Sequence, residues 1–312
     1  MGCTLTMRDF LRRNNTWVML RKAHREGFGH AFARWKTWRQ ILRTAPVHTA
    51  TSGDTEVRLI CYLFDYLCAI WSLKSFYRAA GVTYPLSIQI QGNAPPRVAR
   101  TLRKHFPNAR IVTQQEADQR VEKHLTDHGW TRLLEGRRAN QYMTKLVDNV
   151  ILSGYKRVIT LDGDLLFFRK PTELLEFAGN HIFQQDQAST YLVEQAAGVK
   201  IAPRLNAGLM KFAPASISLA RCNDYLADFP TYHGWLDQSL LALHASETGT
   251  ANVLPPTYLI SLDRQVDPAT LVVRHYAGPT RGLMTEEGMP WLSERGFLDS
   301  QITHRDRHQK DC

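Results

Sequence analysis

Val158-Ile159-Thr160-Leu161-Asp162-Gly163-Asp164-Leu165-Leu166-Phe167-Phe168 is the stretch whose reading decides the fold. An apolar run, β-branched at its start and preceded by the polar residues 153–157, enters an Asp-x-Asp, and a second apolar run leaves it. So short a run, bounded in this way, reads as a buried parallel strand. Ligands of open α/β sheets bind at the carboxyl ends of the strands, where these two carboxylates stand. Carboxylates one residue apart repel each other and are costly to desolvate without a positive partner. A divalent cation on oxygen ligands, itself bridging to phosphate, is the usual solution. Gly163 between them removes a side chain and frees the backbone, so that both carboxylates can turn to one point. A bare Asp-x-Asp is more often a polar loop, so the rest of the chain has to decide.

Upstream, residues 57–63 read as a first strand and are followed by a helical stretch that ends near Gly81. Residues 86–90 form a second strand. Pro95-Pro96 opens a helix with Val98, Leu102 and Phe106 on one face, and residues 109–112 form a third strand. Residues 118–152 are mainly helical in pattern. Strands alternating with helices predict an α/β fold around a parallel, doubly wound sheet with right-handed crossovers.

Three downstream segments add chemistry. In Leu205-Asn206-Ala207-Gly208-Leu209 the small pair permits close backbone approach, and the Asn206 amide can donate and accept, as a hydroxyl-rich ligand needs. Asp237-Gln238 opens an apolar helical run, where an N-cap aspartate is the plain alternative. Val272-Val273-Arg274-His275-Tyr276-Ala277-Gly278-Pro279-Thr280-Arg281 is a strand running into a turn. A lone strand histidine is by default a core residue. Followed by Gly-Pro and a cation, His275 reads as a metal ligand and Arg281 as a grip on phosphate oxygens.

With these pieces in order, the sequence resembles the GT-A glycosyltransferases, and most closely the retaining family-8 group that includes glycogenin and bacterial lipopolysaccharide galactosyltransferases. The matching patches are Thr144-Lys145-Leu146, Leu-Asp-Gly-Asp at 161–164, Leu-Asn-Ala-Gly-Leu at 205–209, Asp-Gln-Ser-Leu-Leu at 237–241 and His-Tyr-Ala-Gly-Pro-Thr-Arg at 275–281, within a span of roughly residues 57–295. The family has lysine where Arg281 stands, and its Pro-Trp after that lysine is replaced by Gly282-Leu283. The resemblance implies a GT-A (Rossmann-like) fold with a central, mainly parallel sheet. It implies Mn²⁺ or Mg²⁺ on Asp162, Asp164 and His275, and a donor that is a nucleotide-diphosphate sugar, expected to be a UDP-hexose. Lys145 would touch the donor; Asn206, Ala207, Gly208, Asp237, Gln238 and Gly278 would line its site, with Asp237, Gln238 and Arg281 closest to the reaction. Asp65 and Tyr66 are the candidates for nucleotide contacts after the first strand. The hexose would pass, with retention, to a hydroxyl acceptor that the sequence does not identify. The alternatives are a haloacid-dehalogenase-type phosphotransferase, which also carries Asp-x-Asp after a strand, and a non-catalytic sugar-nucleotide-binding protein. The first wants Thr or Val where Leu165 stands and a later acidic pair; the second is disfavoured by intact Asp162, Asp164 and His275.

The 312 residues, 44% hydrophobic and 22% charged, suit one large core with a small appendage. The formal charge of +10 is concentrated at the start, where residues 1–45 hold ten cations against two anions. Such a local excess argues against nucleic-acid binding by the whole protein. It divides the chain into a basic helical segment, 1–48, a glycosyltransferase domain, 49–298, and a polar tail, 299–312. Phe28, Phe32, Trp35, Trp38 and Leu42 recur at helical spacing among basic residues, so this face either packs on the core or lies on an anionic membrane, with contact through residues 8–43. Met1-Gly2-Cys3 formally opens a myristoylation pattern. No apolar run is long enough to span a bilayer and no secretory leader is evident. Five dispersed cysteines form no C-x-x-C, which fits a reducing, cytoplasmic compartment, with a peripheral membrane contact only if the basic helix does not pack on the core.

Overall fold

The computed structural model describes residues 24, 28–62, 65–186, 204–227, 235–263 and 266–297. The myristoylation pattern, most of the N-terminal cations, Leu63 and the tail from 298 onward lie outside these residues.

Helix α1 (Phe28–Gln40) runs through a 3-10 turn (Ile41–Arg43) into an extended strap that leads to β1 (Thr55–Tyr62). The strap is pinned to the main body and is no free linker: Val47 N donates to His105 O (2.8 Å), Asn108 Nδ2 to Thr49 O (2.7 Å) and Lys74 Nζ to Thr44 Oγ1 (2.5 Å). The apolar face of α1 divides. Trp38, with Ile41 of the following turn, joins the core, whereas Phe32 is 63% exposed and stacks on Trp35 at 5.6 Å.

Next come α2 (Tyr66–Ala80), β2 (Leu86–Gln91), α3 (Pro96–His105), β3 (Arg110–Thr113), α4 (Gln114–Asp127), α5 (Thr131–Ala139), α6 (Met143–Leu152) and β4 (Arg157–Leu161). Strands β3, β2, β1 and β4 lie side by side and all parallel, as the alternating pattern requires. Beyond β4 follow β5 (Leu165–Phe167), α7 (Thr172–Glu176), β6 (His181–Gln185), β7 (Leu205–Phe212), α8 (Leu219–Tyr225), α9 (Leu236–Glu247), β8 (Asn252–Val253), β9 (Tyr258–Ile260), β10 (Val273–His275) and α10 (Met289–Glu294). The large sheet has the order β3-β2-β1-β4-β7-β6-β8, with β7 antiparallel to both neighbours; a small sheet has the order β5-β10-β9.

Apolar side chains cover both faces of the large sheet. Val57, Leu59, Cys61, Ile88 and Ile90 pack in one cluster with Trp71 and Phe76 of α2; Val158, Met210 and Phe212 pack in another with Leu146 of α6 and Leu240 of α9. Polar residues interrupt the second face. Arg58 Nε donates to Asn149 Oδ1 (3.0 Å), and Asp148 accepts from Gln89 (2.6 Å) and Arg137 (2.6 and 2.8 Å). A buried carboxylate is tolerated there because every charge in the group has a partner. Among the described residues no helix is long and apolar enough to cross a membrane.

The Asp-Gly-Asp joins the two sheets. Asp162 N donates to Gly208 O (2.8 Å), which extends the β4–β7 ladder by one rung, and Tyr276 N donates to Asp164 O (2.9 Å), which extends β5–β10. The two apolar runs of the opening stretch are therefore two strands in two sheets, with the carboxylates at the seam. His275 ends β10 opposite Leu165 and is carried to the same seam.

Candidate active site

A cleft of about 600 Å³ opens at the carboxyl ends of β1 and β4, where strand-end chemistry was expected. Asp162, Asp164 and His275 stand in its floor, each offering one ligand atom, and all three atoms lie within 4.8 Å of one another. Among the described residues no other group of three His, Cys, Asp or Glu side chains meets this condition. His275 Nε2 lies 3.1 Å from Asp164 Oδ1 and 3.6 Å from Asp162 Oδ2.

The mutual repulsion of the carboxylates is relieved by side chains. Lys145 Nζ, on α6, donates to Asp162 Oδ2 (2.7 Å). Arg281 donates to Asp164 Oδ2 from Nη2 (2.6 Å) and Nε (3.0 Å), and reaches Asp65 Oδ2 from Nη1 (3.2 Å). Burial opposes ionisation of Asp164, but His275 and Arg281 outweigh it and hold the carboxyl well below its usual range. Burial likewise pulls His275 down, and Asp164 and Asp162 more than compensate and raise it. A cation taken there competes with a proton for the imidazole.

The orientation of His275 comes from a residue that the sequence did not point to. The pairing of β6 with β7 slips between Phe183 and Gln184, so that Gln184 faces Asn206 instead of continuing the register. Irregularities of this kind re-aim a side chain. Gln184, fully buried, accepts from His275 Nδ1 through Oε1 (3.2 Å) and donates through Nε2 to Tyr258 O (3.2 Å). This fixes the proton on Nδ1 and turns Nε2 to the aspartates, the outer support that metal-binding histidines use. Gln184→Leu is expected to weaken divalent-cation binding at this candidate site by about 10- to 100-fold, read by titration of the purified protein with Mn²⁺. Unchanged affinity would show that Gln184 does not orient the imidazole.

Gly208 is required by close approach. A Cβ there would lie 2.3 Å from His275 Cε1, 2.8 Å from Asn206 Oδ1 and 2.9 Å from Asp162 Oδ2. The closeness anticipated for Ala207-Gly208 is thus toward the site's own side chains. Gly163 is different: a Cβ there would meet Ala69 at an ordinary 3.6 Å, and its φ is not positive. The freedom ascribed to Gly163 is not what aims the carboxylates; the change of sheet is.

Asn206 Nδ2 donates to Asp186 Oδ2 (3.0 Å), and its Oδ1 accepts from Gly208 N (2.8 Å), so its amide is fixed at the edge of the cleft. Asp237 is not an N-cap: it is the second residue of α9, after Trp235 in the cap position. Asp65, Lys145, Asn206, Ala207, Gly208, Asp237, Gln238, Gly278 and Arg281 all line the cleft. Tyr66 does not. It begins α2 and packs against the core, because one residue of helical phase turns it away from Asp65. The cleft also holds Tyr62, Gln141, Tyr142 and Trp235. The only signal for the last two was an aromatic just ahead of an expected ligand segment.

Burial lifts the Asp237 carboxyl to about 7, outweighing the attraction of Lys145. The folded protein thus keeps a proton that an unfolded chain has released, so this group's contribution to stability is present at low pH and is lost as pH rises from about 4 to 7. Asp237→Asn should flatten that loss: its melting temperature should gain on that of the wild type between pH 5 and pH 8. A difference constant with pH would show that the carboxyl ionises as freely in the fold as outside it.

No protein-family model matches the sequence, and no curated protein matches it. Solved structures do. A galactosyltransferase, LgtC, in complex with donor and acceptor sugar analogues aligns at 15% identity with a TM-score of 0.50, over 78% of this chain and 96% of its own. Mouse xyloside xylosyltransferase 1 aligns at 15% identity and 0.50, over 75% of this chain and 99% of its own. The bifunctional glycosyltransferase WbbM aligns at 12% and 0.50, over 80% of this chain and 52% of its own. At these identities the likeness is one of architecture: the protein has the GT-A glycosyltransferase fold.

Proposed function

We propose that the protein is a glycosyltransferase that moves a hexose from a UDP-sugar to a hydroxyl acceptor. The observation that carries this reading is the convergence of Asp162, Asp164 and His275 at the end of β4, with two cations, Lys145 and Arg281, beside them.

Two carboxylates and an imidazole supply hard and borderline ligand atoms, a set that suits Mn²⁺ or Mg²⁺ with donor phosphates completing the shell. Held by Asp162, Asp164 and His275, such an ion would offset the negative charge of the donor diphosphate. In the transfer the bond from sugar C1 to the diphosphate oxygen breaks, the acceptor oxygen bonds to C1, and the acceptor proton leaves on the diphosphate. Negative charge grows on the leaving group, so Arg281 on the cleft wall contributes more in the transition state than in the ground state. Lys145, next to Asp162, lends a second positive charge. Asn206, Asp237 and Gln238 supply donors and acceptors for sugar hydroxyls. Because the leaving diphosphate can take the acceptor's proton, the site needs no dedicated base, which accords with the family's retention of configuration.

The test is consumption of a panel of UDP-sugars by the purified protein with Mn²⁺ and with EDTA. Release of UDP that depends on the metal and on one or a few sugars is the expected result. Release of inorganic phosphate from phosphorylated substrates, with UDP-sugars untouched, would favour the phosphotransferase. Binding of UDP-sugars without turnover in any condition would favour a non-catalytic role.

A further inference from the structure

The aromatic face of α1 is divided between the core and solvent. Trp38 is buried, while Phe32 and Trp35 stay 63% and 40% exposed and stack on each other. Their surroundings are cationic. The Arg39 guanidinium carbon stands 4.5 Å from the centre of the Trp35 ring, and Lys36, Arg39 and Arg43 are all exposed. No residue of α1 is acidic.

A second element, which periodicity alone did not single out, belongs to the same surface. Helix α3 buries Val98, Leu102 and His105 and turns Arg97, Arg100, Arg103 and Lys104 to solvent, again with no carboxylate on the helix. Trp38 of α1 and Val98 and Leu102 of α3 enter one apolar cluster with Trp71 and Phe76 of α2, so both helices cover the same face of the large sheet. The strap ties them together. Arg43 and Val47 are four residues apart, at most about 14 Å along the chain, and Val47 N is bonded to His105 O, next to Lys104. Among the described residues none of these seven cations has an ion pair.

Like charges gathered on one side repel each other and call for an anionic counterpart. That counterpart has to accept two apolar rings as well. Helices that lie in a bilayer interface set Trp and Phe into the headgroup boundary and Lys and Arg against acidic headgroups. A nucleic acid or an acidic protein would answer the cations and provide no apolar medium for Phe32 and Trp35. We propose that this face docks the protein on an anionic lipid surface, through Phe32 and Trp35 of α1 and the cations of α1 and α3. Residues 1–27 add six cations against two anions to the same attraction. The proposal is independent of what the cleft binds.

The test is co-sedimentation of the full-length protein with phosphatidylcholine vesicles, with and without phosphatidylglycerol. Binding only to the anionic vesicles, weakened by salt, is the expected result. Phe32→Ser/Trp35→Ser and Arg100→Glu/Arg103→Glu should each weaken the partition by about tenfold or more. All four side chains are exposed, so the melting temperature should hardly change. Val253→Ser/Leu262→Ser, which alters exposed apolar residues elsewhere, should leave the partition as it is. Failure to bind anionic vesicles, or an unchanged partition in either of the first two variants, overturns the docking face. A lowered melting temperature in Phe32→Ser/Trp35→Ser with unchanged partition also overturns it, because the chain would then cover these rings itself. Duplex DNA bound as tightly as the anionic vesicles, with only the arginine variant weakened, would make the face a general polyanion site and overturn the lipid surface.

Discussion

Asp164→Asn is expected to cut kcat/KM for the UDP-sugar of the proposed reaction by a factor of about 10³, in line with removal of a preorganised charge at a reacting centre. Asp164 is 5% exposed and is the carboxylate that both His275 and Arg281 address. An asparagine of the same shape keeps one acceptor oxygen, but offers an N–H₂ in place of the other oxygen, and the Arg281 guanidinium, which can only donate, loses one of its acceptors. It also removes a negative charge from the proposed cation site. The fold should survive. Arg281 is 42% exposed and retains Asp65 at 3.2 Å, so its charge is not stranded. The cost should be about 1–2 kcal/mol, below that of splitting a fully buried pair. Circular dichroism and a melting curve check the fold, and UDP release checks the activity. Turnover within tenfold of wild type would remove Asp164 from the site.

Gly208→Ala should be nearly as damaging although it adds a single methyl group. The new Cβ would have to displace His275 Cε1 from 2.3 Å, and the neighbouring Asn206 and Asp162 oxygens stand at 2.8 and 2.9 Å. Displacing an imidazole wedged between Gln184 and Asp164 should cost about 1–3 kcal/mol of stability, as overpacking does. It should also cost about 10² in kcat/KM, since shifts near 1 Å are enough for such losses. Gly163→Ala is the control for the seam. Its Cβ meets Ala69 at 3.6 Å, and its effect on stability should stay within about 0.5 kcal/mol. If Gly163→Ala destabilised the protein more than Gly208→Ala, the aim of the carboxylates would depend on glycine freedom at 163 and not on the change of sheet.

The parts legible in sequence were those written locally. Alternating strands and helices up to residue 161 carry their own periodicity, and β1 to β4 follow it in the order expected. Asp162, Asp164 and His275 could be singled out because each is a polar residue at the end of an apolar strand, and such residues need a reason. The antiparallel β7 could not be read, since direction within a sheet is set by how the chain returns and not by composition. Gln184 was invisible for a related reason: only the slipped pairing of β6 on β7 turns it to His275, and register is a tertiary property. Tyr66 was misplaced by one residue of helical phase, the error expected where a strand gives way directly to a helix. The pairing of Lys145 and Arg281 with the aspartates was hidden as well. Long cations find their carboxylates in space, 17 and 117 positions away along the chain.

The aromatic face of α1 gives the same lesson from the other side. Five apolar residues at helical spacing looked like one surface, yet Trp38 is buried and Phe32 and Trp35 are exposed. Periodicity fixes which residues share a face, and neighbouring elements decide how much of that face is covered.

The most direct test of the account is calorimetric titration of UDP into the wild-type protein with Mn²⁺ and with EDTA, repeated on Asp164→Asn. Binding by the wild type with Mn²⁺, and none in EDTA or in the variant, is the predicted result, because in the proposed reaction the diphosphate is held through a cation on Asp162, Asp164 and His275. Equal affinity for UDP with and without the metal would contradict the account at its centre.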